Sequence, residues 1–140
     1  MRYQRLPKSQ YREYIQSEAW RQKRRDFFAS NLWRTYPAGI KAKKFVCYAC
    51  GSDERLDIHH RSYARLGNER ISNDLICVCR SCHNRIHQLE RQEGVQLRRA
   101  TKLVRLEHEN ADRANKFKKN HKRRMEKKKR KEERKRLTSV

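Results

Sequence analysis

The sequence predicts a small α+β fold, and three observations lead to it. Within residues 45–90, the alternating run Leu56-Asp57-Ile58-His59 and the apolar run Asp74 to Cys79 precede a helical pattern through Ile86, His87 and Leu89. That order reads as strand, loop, strand, helix. Two CxxC pairs, Cys47/Cys50 and Cys79/Cys82, bracket this stretch. Hydrophobic residues are 35% of the chain and charged residues 39%, too lean a supply for a large apolar core, so the fold needs a staple.

The elements follow in order. Residues 1–44 form a basic, aromatic, helical region. Tyr11, Tyr14 and Ile15 suggest a short amphipathic turn, and Ser17 is placed to cap a helix beginning near Glu18. Trp20, Phe27, Phe28 and Leu32 lie at helical spacing among Arg21, Lys23, Arg24 and Arg25. The expectation is a helix with its apolar face on the following module and its basic face outward. Pro37 and Gly39 break the chain, and the basic stretch ending in Lys43 and Lys44 leads into the first cysteine pair. In residues 45–90, Gly67-Asn68 marks the loop between the strands, and Cys82-His83 opens the helix. Residues 91–140 are helix formers and charge. Leu97, Val104 and Ala111 recur every seven residues, as do Ala100, Glu107 and Ala114, a seam too thin for a coiled coil. Beyond Asn115 only Glu126, Glu132 and Glu133 oppose the positive run, which reads as a long basic helix or a partly disordered tail.

The cysteines specify a metal. A CxxC turn aims two thiolates at one point, and two such turns complete the tetrahedron that Zn²⁺ prefers. Four thiolates from Cys47, Cys50, Cys79 and Cys82 leave no open coordination position, so this zinc is structural and its binding energy is folding energy. A redox role is disfavoured by two paired knuckles outside a βαβ context. Cys77, the fifth, fits a small buried strand residue.

The histidines have different chemistry. His83 and His87 are four apart on a helix and can share one ion. His59 and His60 are adjacent on an extended segment, so their side chains point oppositely; one can join the ion while the other faces a substrate. Three neutral imidazoles leave positions open on a divalent metal such as Mg²⁺, Mn²⁺, Ni²⁺ or Zn²⁺, the requirement for catalysis. The fourth histidine has a pKa suited to taking a proton from water. A bland reading stays open: histidines near knuckles can be surface or DNA-contacting residues, and His83 or His87 could replace a cysteine at the zinc.

Lys and Arg number 38 against 16 Asp and Glu, a net charge of +22, so the expected partner is a nucleic acid, gripped through its phosphates. No apolar run approaches a membrane span, and the N-terminus lacks the apolar stretch of a secretory signal. With paired cysteines better suited to zinc than to disulfides, an intracellular compartment is expected.

LDIHHRSYARLGNE followed by DLICVCRSCHNRIH resembles the HNH endonuclease family, and YREYIQSEAWRQKRRDFF resembles the helical lead-in of its small bacteriophage members. The resemblance covers residues 11–89 and implies a ββα-metal finger that hydrolyses DNA. It implies His60 as general base, His59, His83 and His87 as ligands of one catalytic divalent metal, and Asp74, or Asn73 beside it, at the middle motif position that orients the base. Asp74 would do so by accepting a hydrogen bond from His60. Arg61 and Arg65 in the loop, with Arg24, Arg25, Lys43 and Lys44, are the candidates for DNA contact. A phage origin would place the protein in the bacterial host cytoplasm, and work beside a packaging terminase is among the roles this chemistry serves. One finger makes one cut, so double-strand cleavage needs a homodimer or two nicks. The rival expectation is a non-catalytic zinc-ribbon protein that binds nucleic acid.

Overall fold

A computed structural model describes residues 7–30, 40–41 and 44–139, with only the backbone described for Ile40, Lys41 and Lys44. In chain order the elements are α1 (Lys8–Ile15), α2 (Glu18–Ala29), β1 (Ile40–Lys41), β2 (Lys44–Phe45), β3 (Leu56–His60), α3 (Ile71–Asp74), β4 (Leu75–Cys79), α4 (Arg80–Glu93) and α5 (Leu97–Thr138). They fall into two compact units, Met1–Leu106 and Glu107–Val140.

The first unit is built on one hairpin. β3 and β4 pair antiparallel, with Leu56 opposite Cys79, Ile58 opposite Cys77, His59 opposite Ile76 and His60 opposite Leu75. Every residue of β4 is buried, the mark of a strand covered on both faces. Alternation then sorts its side chains. Leu75 and Cys77 enter a cluster with Trp20 and Phe27 of α2, while Ile76 and Val78 enter one with Ile86 and Leu89 of α4 and Leu97, Ala100 and Val104 of α5. The hairpin is therefore a partition between two small apolar clusters.

The helices flanking it begin and end for local reasons. Ser17 caps α2 as expected, its Oγ accepting from the Trp20 N–H at 3.2 Å. Trp20 and Phe27 are buried, whereas Phe28 is 42% exposed and does not join them. Leu32, Pro37, Gly39 and Lys43 lie outside the described residues. α4 starts at Arg80, ahead of the expected Cys82-His83, because the Cys79 sulfur accepts the Cys82 N–H and serves as the cap. Gly94, at φ 64°, ends α4 in the left-handed conformation that glycine tolerates best. Asp74 does not open the second strand. It closes the one-turn α3 by accepting the Arg70 N–H at 2.8 Å.

The composition boundary at 90/91 and the structural boundary at 106/107 differ, since Leu97, Ala100, Thr101 and Val104 are buried with the hairpin unit. The second unit, taken by itself, is the rest of a long helix, with Ala111 and Ala114 exposed, so the heptad seam buries nothing there. Among the described residues no helix is long and apolar enough to cross a membrane.

Candidate metal centres

Two groups of candidate ligands draw on the Cys47–Cys50 knuckle, β3, the end of β4 and α4. The first is Cys47, Cys50, Cys79 and Cys82, whose sulfurs lie within 4.8 Å of one another. The Cys47–Cys50 knuckle is closed by the Gly51 N–H on the Cys47 carbonyl at 2.8 Å, and it is tied to β4 by the Tyr48 N–H on the Cys77 carbonyl at 2.8 Å. Cys50 is exposed and the other three are buried. Although burial works against it, backbone N–H groups around Cys47 hold its thiol below the ordinary value; burial and the neighbouring Cys47 charge push Cys50 and Cys82 up. Four sulfurs this close cannot all ionise without a cation, and a soft divalent ion such as zinc suits both their spacing and their chemistry. Cys77 stands apart in the other cluster, its thiol pushed up to about 12 by burial, as a structural residue should be.

The second group is His59, His83 and His87, each offering a ring nitrogen within 4.8 Å of the others. Their hydrogen bonds fix which nitrogens are free. His83 Nδ1 lies 3.2 Å from Asp57 Oδ2 and His87 Nδ1 lies 3.1 Å from Glu90 Oε2. A carboxylate only accepts, so both Nδ1 atoms donate, and both Nε2 atoms carry lone pairs. Those two Nε2 atoms are 3.1 Å apart, an approach that needs either a shared proton or a metal cation between them. Thr101 Oγ1 donates to the Leu97 carbonyl at 2.8 Å and so accepts from His59 Nε2 at 3.1 Å. His59 Nδ1 is thereby left as a lone pair, buried and without a partner among the described residues. Burial first, then the charges of its neighbours, holds His59 well below the ordinary histidine range; burial and His87 lower His83. Ring nitrogens converging in this way fit a divalent cation, and carboxylates behind two of the histidines are the usual support for histidine ligands. The motifs in the chain do not single out Asp57, Glu90 or Thr101. Asp57 is legible as the residue two before His59 on a strand; Thr101, some forty positions away, is not.

His60 faces the other way. It is 2% exposed, stacked on Trp20 with ring centroids 4.6 Å apart, and edged by Tyr11 and Tyr63. Its Nε2 lies 2.9 Å from Glu69 Oε1, and Glu69 also accepts from the Tyr14 hydroxyl at 2.8 Å. Burial lowers the His60 pKa against the pull of Glu69; burial opposes ionisation of Glu69, but the His60 and Tyr14 donors hold its pKa down. The pair is therefore a neutral imidazole donating Nε2–H to a carboxylate, with Nδ1 as the remaining acceptor.

The expectation that Asp74 accepts from His60 is corrected: the acceptor at His60 Nε2 is Glu69. Asp74 is buried and takes a two-pronged contact from Arg65, with Arg98 at 3.8 Å. Its carboxyl is held low, chiefly by Arg65. Asn73 is exposed, and its carbonyl accepts from Arg61 at 3.5 Å. Arg24 and Arg25 are exposed on α2, where Arg25 meets Glu18 at 2.8 Å and together with Arg21 and Phe28 lines a shallow depression. No family model, curated protein or solved structure matches this chain.

Proposed function

We propose that the protein is a metal-dependent HNH-type endonuclease that hydrolyses phosphodiester bonds in DNA. The observation that carries this reading is the convergence of three imidazole lone pairs, from the partnerless His59 Nδ1 and from His83 and His87 Nε2, beside a cysteine set able to hold the hairpin on α4. A divalent ion there would stabilise negative charge developing on a phosphoryl oxygen and its leaving group. His59, His83 and His87 would hold that ion, with Asp57, Glu90 and Thr101 fixing their tautomers. His60 would take the proton of the attacking water at Nδ1, its other nitrogen held by Glu69. The structural zinc would bind Cys47, Cys50, Cys79 and Cys82. A net charge of +22 supports a polyanionic substrate. The family resemblance implies 5′-phosphate and 3′-hydroxyl ends.

A second reading, a non-catalytic zinc-binding protein that attaches to nucleic acid, is favoured by one observation. His60 lies under Trp20 on the hairpin face opposite the three converging histidines. A supercoiled-plasmid assay with Mg²⁺, Mn²⁺ or Ni²⁺ separates the two. The nuclease reading expects nicked or linear product from the wild type and none from His83→Ala. Intact plasmid under every metal would leave the binding reading in its place. Cleavage that survives His60→Ala in full would remove His60 as the base while leaving the nuclease.

A further inference from the structure

At the loop end of the hairpin, two guanidinium groups meet one carboxylate and a third lies nearby. Asp74 binds Arg65 through Nε at 2.7 Å and through a second, shorter contact, and it lies 3.8 Å from Arg98. Arg61 stands opposite Asp74, its backbone N–H donating to the Asp74 carbonyl at 2.8 Å. The Arg61 side chain lies within electrostatic reach of both Asp74 and Arg98. Its guanidinium touches the Asn73 carbonyl at 3.5 Å, and its Nε is buried with no partner among the described residues. Arg98 reaches the same spot from α5, one turn ahead of the Thr101 that bonds His59.

The charges do not balance. Arg65 occupies both oxygens of Asp74, which leaves Arg61 and Arg98 sharing what remains of a single negative charge. Side chains of this kind normally spread apart into water. Here they are held together by the end of a strand and the start of a helix, and one carries an unmet buried donor. An anion with several acceptor oxygens would satisfy that donor and offset the excess charge.

We propose that Arg61 and Arg98, spaced by the Arg65–Asp74 pair, form a clamp for a backbone phosphate of nucleic acid beside the His59, His83 and His87 centre. The site's location next to a reacting phosphate rests on the nuclease reading, whereas its affinity for phosphate does not. Asp74 on this account is the spacer of the arginines.

The test uses full-length, zinc-loaded protein and a short fluorescein-labelled DNA duplex, with binding followed by anisotropy over a salt series and no added divalent metal. Arg61→Gln and Arg98→Gln should each weaken binding by about tenfold, the worth of one charge-assisted hydrogen bond. Each should flatten the slope of log K against log salt by about 0.9 for every phosphate that the variant no longer neutralises. Arg99→Gln, an exposed neighbour of equal charge, should change both much less. Arg98→Lys should keep most of the salt slope while binding more weakly, because it retains charge without the planar fork. Zinc content and the thermal transition report folding. Should a variant containing Arg98→Gln unfold, Arg61→Gln carries the same test, since its Nε has no partner to lose. Wild-type affinity and slope in the Arg61→Gln/Arg98→Gln pair would overturn the clamp, even if the plasmid is still cut. Weakened binding in a protein that cuts nothing would keep the clamp and sink the nuclease.

Discussion

His59 and His60 are neighbours in the chain and strangers in space. One sits among ring nitrogens that converge on an ion-sized gap; the other is sealed beneath Trp20 with Glu69 as its partner. The difference comes from strand alternation, and it governs what substitutions should do. Glu69→Gln keeps the shape of the side chain but removes the charge that orients the His60 Nε2–H. If His60 is the base, cleavage should fall by about 10²-fold, while metal content measured by mass spectrometry stays that of the wild type. Undiminished cleavage in that variant would detach Glu69 from the chemistry. Asp74 makes a different prediction. Its carboxyl is depressed in the fold, chiefly by Arg65, so its stabilising contribution is present above the ordinary carboxylate value of 3.8 and is lost as pH falls through the lower folded value. Between neutral pH and about pH 3, wild type should therefore lose more stability than Asp74→Asn, as read from urea midpoints at each pH. Parallel losses in the two proteins would count against the pairing.

At the scale of elements, α4 and its cap carry two of the four cysteines and two of the three histidines of the candidate metal centres. Its cap, Cys79, and its first turn, Cys82, supply two sulfurs, and its half-buried flank supplies His83 and His87. The apolar side of the same helix, Ile86 and Leu89, seats it on Ile76 and Val78. The cysteine set and the helix should therefore fail together. Cys50→Ser is expected to lose bound zinc and to lower the thermal transition sharply, since structural zinc supplies about 10–16 kcal/mol in small domains. Cys77→Ala should keep the zinc and cost only the packing of a small buried side chain, about 1 kcal/mol. An unchanged melting curve for Cys50→Ser would dismiss the structural-zinc assignment. The cap of α2 is a milder case: Ser17→Ala should lower stability by about 1 kcal/mol in urea denaturation.

For the whole molecule, charge is the governing quantity. The helix beyond Glu107 carries dense Lys and Arg with exposed side chains, and like charges spaced four apart oppose its own stability. Phosphates would relieve that repulsion, so deletion of residues 107–140 should weaken DNA binding at low salt and flatten its salt dependence. The first unit has its own buried clusters, so its zinc content and thermal transition should persist. Equal salt slopes with and without the helix would take it out of binding.

Much of this is legible in the chain. The paired cysteines, the strand–strand–helix order, the Ser17 cap and the opposite facing of His59 and His60 follow from spacing and alternation, which are properties of the local backbone. The long basic helix is one of two readings that composition leaves open, because intrinsic propensity alone does not decide between helix and solvated coil. What the sequence does not state is who meets whom across distance. Glu69 takes the place of Asp74 at His60 because the loop after β3 folds back under α1, bringing Tyr14 and Glu69 together over a separation of 55 residues. Thr101 and Arg98 join the hairpin unit because Leu97, Ala100 and Val104 need a surface to bury against. Local rules set the ligands; burial of scarce apolar surface chose their partners.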